Sequence, residues 1–129
     1  MKVIIAGSRC ICNETAVVSA LNHNPYDITE VVSGHAAGID QIGEMWARSK
    51  GHPVTTFTPD YNDGNQRRAP LLRNTAMAKY ADALIAIWDG QSRGTKHMIG
   101  EMKKLNKPYT VYIINGEGVP QIIKDKDLI

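Results

Sequence analysis

The stretch IAIWDGQSRGT, residues 85–95, changes character halfway. Ile85 to Trp88 are apolar, and a short apolar run ended by a turn reads as a strand buried on both faces. Asp89, Gly90, Gln91, Ser92 and Arg93 then form a polar turn. GTKHMIGEMKKLNK (94–107) follows with helical spacing, placing Met98, Ile99, Met102 and Leu105 inward. Strand, tight loop and helix in direct succession are half of a parallel crossover unit, and this unit decides the fold.

The same alternation extends in both directions. KVIIAG (2–7) reads as an opening strand and ETAVVSALNHN (14–24) as a helix with Val17, Val18 and Leu21 on one face. ITEVVSG (28–34) is a second strand. IDQIGEMWARSKG (39–51) is a second helix with Ile39, Ile42, Met45 and Trp46 as its stripe and Gly51 as its stop. PVTTFTP (53–59) is a third strand, DYNDGNQRR (60–68) a polar loop, and PLLRNTAMAKYAD (70–82) a third helix with Pro70 in its first turn. ALIAIW (83–88) and PYTVYII (108–114) are the fourth and fifth strands, and 115–129 is a C-terminal extension without assigned structure. Alternation of this kind predicts one α/β domain over 1–129. It is three-layered and doubly wound, with a mostly parallel five-stranded sheet of order 3-2-1-4-5.

Bulk composition agrees with that picture. The 129 residues are 43% hydrophobic and 22% charged, with a formal net charge of +2, as expected of an ordinary globular domain. Met1-Lys2 leads directly into a strand-like run, so no signal peptide is expected. No apolar run approaches the roughly 20 residues of a membrane span. The expected setting is the cytoplasm. Cys10 and Cys12 are too close for a disulfide framework and read as reduced thiols. The four histidines, His23, His35, His52 and His97, lack zinc-like spacing, so neither a metal nor a cofactor is expected.

In doubly wound sheets, ligands bind beyond the carboxyl ends of the strands, where the winding direction reverses. Here that point lies between strands one and four. It brings Gly7, Ser8 and Arg9 opposite Asp89, Gly90, Ser92, Gly94 and Thr95, with SGHAAGID (33–40) alongside. Glycine permits close approach, serine offers a hydroxyl, and arginine grips an oxyanion with two parallel bonds. The 89–95 loop is neither a Walker loop nor a dinucleotide fingerprint. Its place at the mouth of a helix nonetheless presents free N–H groups to an anion, and Ser92 or Thr95 can also cap that helix. Gly34 and Gly38 bracket a tight turn that allows close ligand approach, and with His35 between them they read as ligand-binding residues. Asp40 reads either as a helix cap or as a holder of ribose hydroxyls. Glu44, one turn later, reads on its own as solvated surface. Arg73 and Asn74 fall at the start of the third helix, where the dipole does not favour a cation and a bound anion would.

Together, GSR, SGHAAGID and RNTAMAKYADALIAIWDGQSRGT resemble the SLOG superfamily of Rossmann-like nucleotide-binding domains. The resemblance covers residues 2–114 and is nearest to the small stand-alone branch common in bacteria and phages. It extends to the LOG-type phosphoribohydrolases and the DNA-processing proteins. It implies a nucleotide or nucleotide-derived ligand at the switch point. LOG-type enzymes cleave the N-glycosidic bond of nucleoside 5′-monophosphates with an arginine of an R…M helix and a glutamate after a GGxGT loop. Arg73 and Met77 match the first element; Gly94 and Thr95 match the end of the second. Lys96, His97 and Met98 stand where the glutamate is expected, and Glu101 lies about a turn further along.

Binding of a nucleotide therefore ranks ahead of cleavage. Cleavage needs a carboxylate beside the developing oxocarbenium ion. Asp40, Glu44 and Asp89 are its candidates, with Arg73 on the phosphate and His97 as acid on the leaving base. A nucleic-acid reading would rest on Arg67, Arg68, Arg73 and Arg93. The near balance of 15 basic and 13 acidic residues and an aromatic content of 6% oppose it. A homodimer would use Trp46, Met77 or Tyr80, although Trp46 reads better as core.

Overall fold

A computed structural model describes residues 1–8, 14–60 and 68–114, and the backbone of 120–123. Arg9, Cys10, Cys12 and Arg67, singled out above, lie outside the described residues. The elements follow in the order β1 (Lys2–Gly7), α1 (Glu14–Asn22), β2 (Glu30–Ser33), α2 (Ile39–Ser49), β3 (Val54–Thr56), α3 (Ala69–Tyr80), β4 (Ala83–Trp88), α4 (Arg93–Lys104), β5 (Tyr109–Ile114) and β6 (Pro120–Ile123).

The first five strands pair in parallel in the order β3-β2-β1-β4-β5, as the alternation predicts. β6 adds a sixth strand, antiparallel to β5, with Ile114 opposite Pro120. The sequence gives no crossover helix before this segment, which is why a parallel-unit reading leaves it unassigned. A return strand needs only a short connection and pairs antiparallel.

Side-chain alternation divides the sheet into two apolar faces. Val3, Ile5, Val31, Ile85 and Ile87 face α1 and α2, meeting Val17, Leu21, Ile39 and Ala47. Ile4, Ala6, Val32, Leu84 and Ala86 face α3 and α4, meeting Met77, Ala78, Met98 and Met102. β4 is buried at every position, because it is covered on both faces and flanked on both edges.

Several inward assignments change. Met45 is 55% exposed, and the buried side of α2 carries Ile39, Asp40, Gly43, Glu44, Trp46 and Ala47. Leu105 caps the end of α4 and is exposed. Met77, considered above as a contact surface, is core, as is Trp46; Tyr80 remains partly exposed. α3 stops where Lys107 Nζ donates to the carbonyls of Ala78, Lys79 and Ala81 at 2.8, 3.0 and 2.7 Å, a cation placed against a helix C-terminus. Among the described residues, no helix is long and apolar enough to cross a membrane.

The small residues of α2 let it ride close to β1. A Cβ on Gly43 would lie 2.6 Å from Ile5 Cγ2, whereas one on Gly100 of α4 would meet nothing within 4 Å. Both glycines sit in helix interiors, where alanine is intrinsically better by about 1 kcal/mol. Gly100→Ala should therefore raise the urea midpoint. Gly43→Ala should lower it, by about 1–3 kcal/mol of overpacking. Equal shifts for the two would contradict the close α2–β1 contact.

Candidate functional site

A cleft of about 510 Å³ opens at the carboxyl ends of β1 and β4. Its depth comes from Ala6, Gly7 and Ser8 after β1. One wall is Pro70, Leu71, Arg73, Asn74 and Met77 of α3. The other is the β4–α4 loop and the start of α4, with Asp89, Gln91, Ser92, Gly94, Thr95 and Met98. Ala36 and Asp40 close the third side. A volume of roughly 300–1,000 Å³ is the usual range for a small-molecule site.

The β4–α4 loop is built by its own polar groups. Asp89 Oδ1 accepts from the N–H groups of Gln91 and Ser92, both at 2.8 Å, so this carboxylate folds the turn. Gly90 adopts φ +85°, a left-handed conformation that favours glycine. Trp88 Nε1 donates to Ser92 O at 3.1 Å. Ser8, completely buried, joins the two strand ends: its N–H donates to Ile87 O at 3.1 Å, and its Oγ accepts from Asp89 N–H at 3.0 Å.

Ser92 is the N-cap residue of α4, but its side chain makes no capping bond. The first intrahelical bond runs from Lys96 N–H to Ser92 O at 3.2 Å. The N–H groups of Arg93, Gly94 and Thr95 precede it and have no partner within the helix. Thr95 Oγ1 donates to Ser92 Oγ at 3.3 Å, so the two hydroxyls expected to cap lie against each other instead. The positive end of α4 is thus left to whatever occupies the cleft.

Arg73 lies in the second turn of α3, deeper than its expected first-turn position, because the helix starts at Ala69. Its Nη1 donates to Gly34 O at 2.9 Å and its Nε to Asn74 Oδ1 at 3.2 Å. Asn74 Nδ2 in turn donates to Gly94 O at 3.3 Å, linking α3 to the first turn of α4. An ideal Cβ on Gly34 would fall 2.7 Å from Arg73 Nη1 and 3.0 Å from Asp40 Oδ2. The glycine expected to let a ligand approach is needed first to admit the Arg73 guanidinium on one side and the Asp40 carboxylate on the other.

Asp40 is not an N-cap: Gly38, at φ +80°, holds that position without a side-chain bond. Asp40 Oδ2 accepts from Ala36 N–H at 3.2 Å, and the carboxylate also bonds Gly7 N–H. It is 6% exposed. Burial pushes its pKa up to about 6, against the opposing pull of the Ala36 N–H and the Arg73 charge. Glu44 is corrected more sharply. Far from solvated, it is 2% exposed and does not line the cleft.

His97 also stands outside the cleft lining. Its Nδ1 lies 3.2 Å from Asn74 Nδ2 and its Nε2 3.3 Å from Glu101 Oε1. Glu101, committed to His97 and Lys104, does not replace the glutamate missing after Thr95. Gly34, His35, Gly38 and Gly90 flank the cleft without lining it. The apolar walls, Pro70, Leu71, Met77 and Met98, were not picked out as site residues from the sequence, apart from Met77 through the R…M resemblance. Leu71 at 42% exposure is a surface leucine whose only sequence signal is its place beside Pro70. Among the described residues, no group of histidine, cysteine and carboxylate side chains is arranged to hold a metal ion.

The buried Asp40 fixes the sign of a pH effect. Its folded pKa, about 6, is above the ordinary value of 3.8, so between these values the folded chain binds more protons than the unfolded one. Stability from this group is then lost as pH rises through that window, by about 2–3 kcal/mol in total. Asp40→Asn should gain stability over the native chain by about that amount between pH 4 and pH 7 in urea titrations. A difference independent of pH would contradict the burial of this carboxylate.

Residues 1–64 match the model of the YspA, cpYpsA-related SLOG family. The Gene 61 protein of Mycobacterium phage D29 is 33% identical over 116 residues, which cover 83% of this chain and 92% of the phage protein. No solved structure matches the chain significantly. With the predicted strand order present and a relative this similar over nearly its full length, the chain belongs to the YspA, cpYpsA-related SLOG family.

Proposed function

We propose that the cleft binds a nucleotide or nucleotide-derived ligand by its phosphate, in a sensing or sequestering role. The observation that carries this reading is the uncapped N-terminus of α4, opening into the same cleft as the Arg73 guanidinium. Three backbone N–H groups and the helix dipole suit an oxyanion there, and Thr95 adds a hydroxyl. Arginine supplies fixed charge and a planar fork. The apolar walls formed by Leu71, Met77 and Met98 suit the face of a base, and Asp40 is an acceptor for ribose hydroxyls.

A second reading, N-glycosidase action on a nucleoside 5′-monophosphate, is favoured by one observation. Asp40 is a buried carboxylate on the cleft wall with a pKa near 6, a group able to stabilise cationic character on a sugar or to hold a proton near neutrality. Binding leads because Lys96, His97 and Met98, and no carboxylate, directly follow Thr95.

Calorimetry with AMP, GMP, CMP and UMP, paired with chromatography for released base, separates the two. The leading reading predicts saturable binding without base release. It also predicts loss of roughly tenfold or more in affinity in Arg73→Gln, the size of one charge-assisted bond. Base release abolished by Asp40→Asn would replace sequestration with hydrolysis, and absence of binding for the whole panel would overturn both.

A further inference from the structure

Glu44 is a buried carboxylate that the proposed function does not use. A charge so placed persists only with partners to hold it. Ser33 Oγ donates to its Oε2 at 2.8 Å, His35 Nδ1 approaches the same oxygen at 2.9 Å, and Arg48 Nη2 lies 3.4 Å from Oε1. Ser33, itself fully buried, also accepts from His35 N–H at 3.1 Å. Two buried side chains thus hold both the backbone and the ring of one residue.

That residue is on the surface. The His35 side chain is 54% exposed, and its backbone adopts φ +57°, a left-handed conformation that costs a residue with a Cβ. An exposed ring gains little burial to offset that cost. What the arrangement fixes is the direction of the imidazole. With Nδ1–H donating to the carboxylate, Nε2 points away from Glu44, without a partner among the described residues. The loop that carries the ring borders the cleft: Ala36 and Asp40 line that cavity, and Arg73 Nη1 is bonded to Gly34 O.

We propose that His35 and Glu44 form a hydrogen-bond-donating pair at the rim of the cleft. Glu44 positions the ring, and His35 Nε2–H donates to an acceptor atom of the bound nucleotide, either a phosphate oxygen or a ring nitrogen of the base. This rests on the nucleotide reading above and deepens it. It gives the proton-donating place at this cleft to His35, since both ring nitrogens of His97 are already engaged. The charged or titratable groups around the loop are Glu44, Arg48 and Asp40 from α2 and Arg73 from α3. Asp40 lines the cleft in the nucleotide reading, so it is left intact and the native chain is the parent.

His35→Asn keeps a residue tolerant of left-handed backbone on an exposed loop. Glu44→Gln keeps the size and an acceptor beneath the ring. Binding of AMP, adenosine and inorganic phosphate is measured by calorimetry at one pH. Relative to the native chain, His35→Asn should weaken AMP about tenfold. Glu44→Gln should weaken AMP as well, and should add little in the His35→Asn background, because it acts through the ring. A loss shared by AMP and phosphate assigns the phosphate oxygen; a loss shared by AMP and adenosine assigns the base. AMP binding equal in the native chain and His35→Asn would overturn the pair while leaving the nucleotide reading intact. Failure of AMP, adenosine and phosphate to bind the native chain would defeat that reading, and the pair with it.

Discussion

A side chain at position 7 would have to share space with the Ile87 carbonyl: an ideal Cβ there falls 2.1 Å from that oxygen and 2.8 Å from two carbons of Ile39. Glycine at the end of β1 therefore lets three elements, β1, β4 and α2, converge at one point. Ser8 can then bond β4 through its N–H and the β4–α4 loop through its hydroxyl. Asp40, one residue beyond Ile39, reaches back to the Gly7 N–H. The cleft, the uncapped end of α4 and the position of Asp40 all depend on this close approach.

Many polar residues of the three loops bond one another. Asp89 folds its own turn, Ser8 joins two strand ends, and Arg73 fastens Gly34 from across the cleft. Asn74 ties α3 to α4. Such a site is preorganised, because the protein rather than the ligand orders the loops, and binding then costs less conformational entropy. The N-terminal N–H groups of α4 are the exception, since the side chain of their N-cap residue, Ser92, makes no bond to them. The carboxylates have separate roles: Asp89 builds a turn, Asp40 lines the wall and Glu44 lies beneath a loop.

The sheet order was legible because its signal is period and alternation. Apolar runs such as Ile85–Trp88 and Val3–Ile5 sit next to turn residues, and right-handed crossovers leave few orders to choose from. The phase of α2 was legible only in part. Ile39 and Trp46 are buried and Ile42 packs against the core, but Met45 points outward, and the buried side also runs through Asp40, Gly43, Glu44 and Ala47. Size and polarity misled there: Gly43 and Ala47 are inside for close packing with β1, and the carboxylates are inside because Ser33, Ala36 and His35 supply hydrogen bonds. No local pattern announces partners from another element. Gly7, Ser92 and Thr95, which line the cleft, were recognisable from their place after strands, while the Leu71 and Met98 walls emerged only from packing.

The central claim is that phosphate binds where α4 begins. A crystal structure of the chain grown with AMP addresses it most directly. The account predicts phosphate oxygens within about 3 Å of the Gly94 and Thr95 N–H groups and of the Arg73 guanidinium, with the base against Leu71 and Met98. A phosphate bound elsewhere on the molecule, with the N-terminus of α4 facing only water, would contradict it.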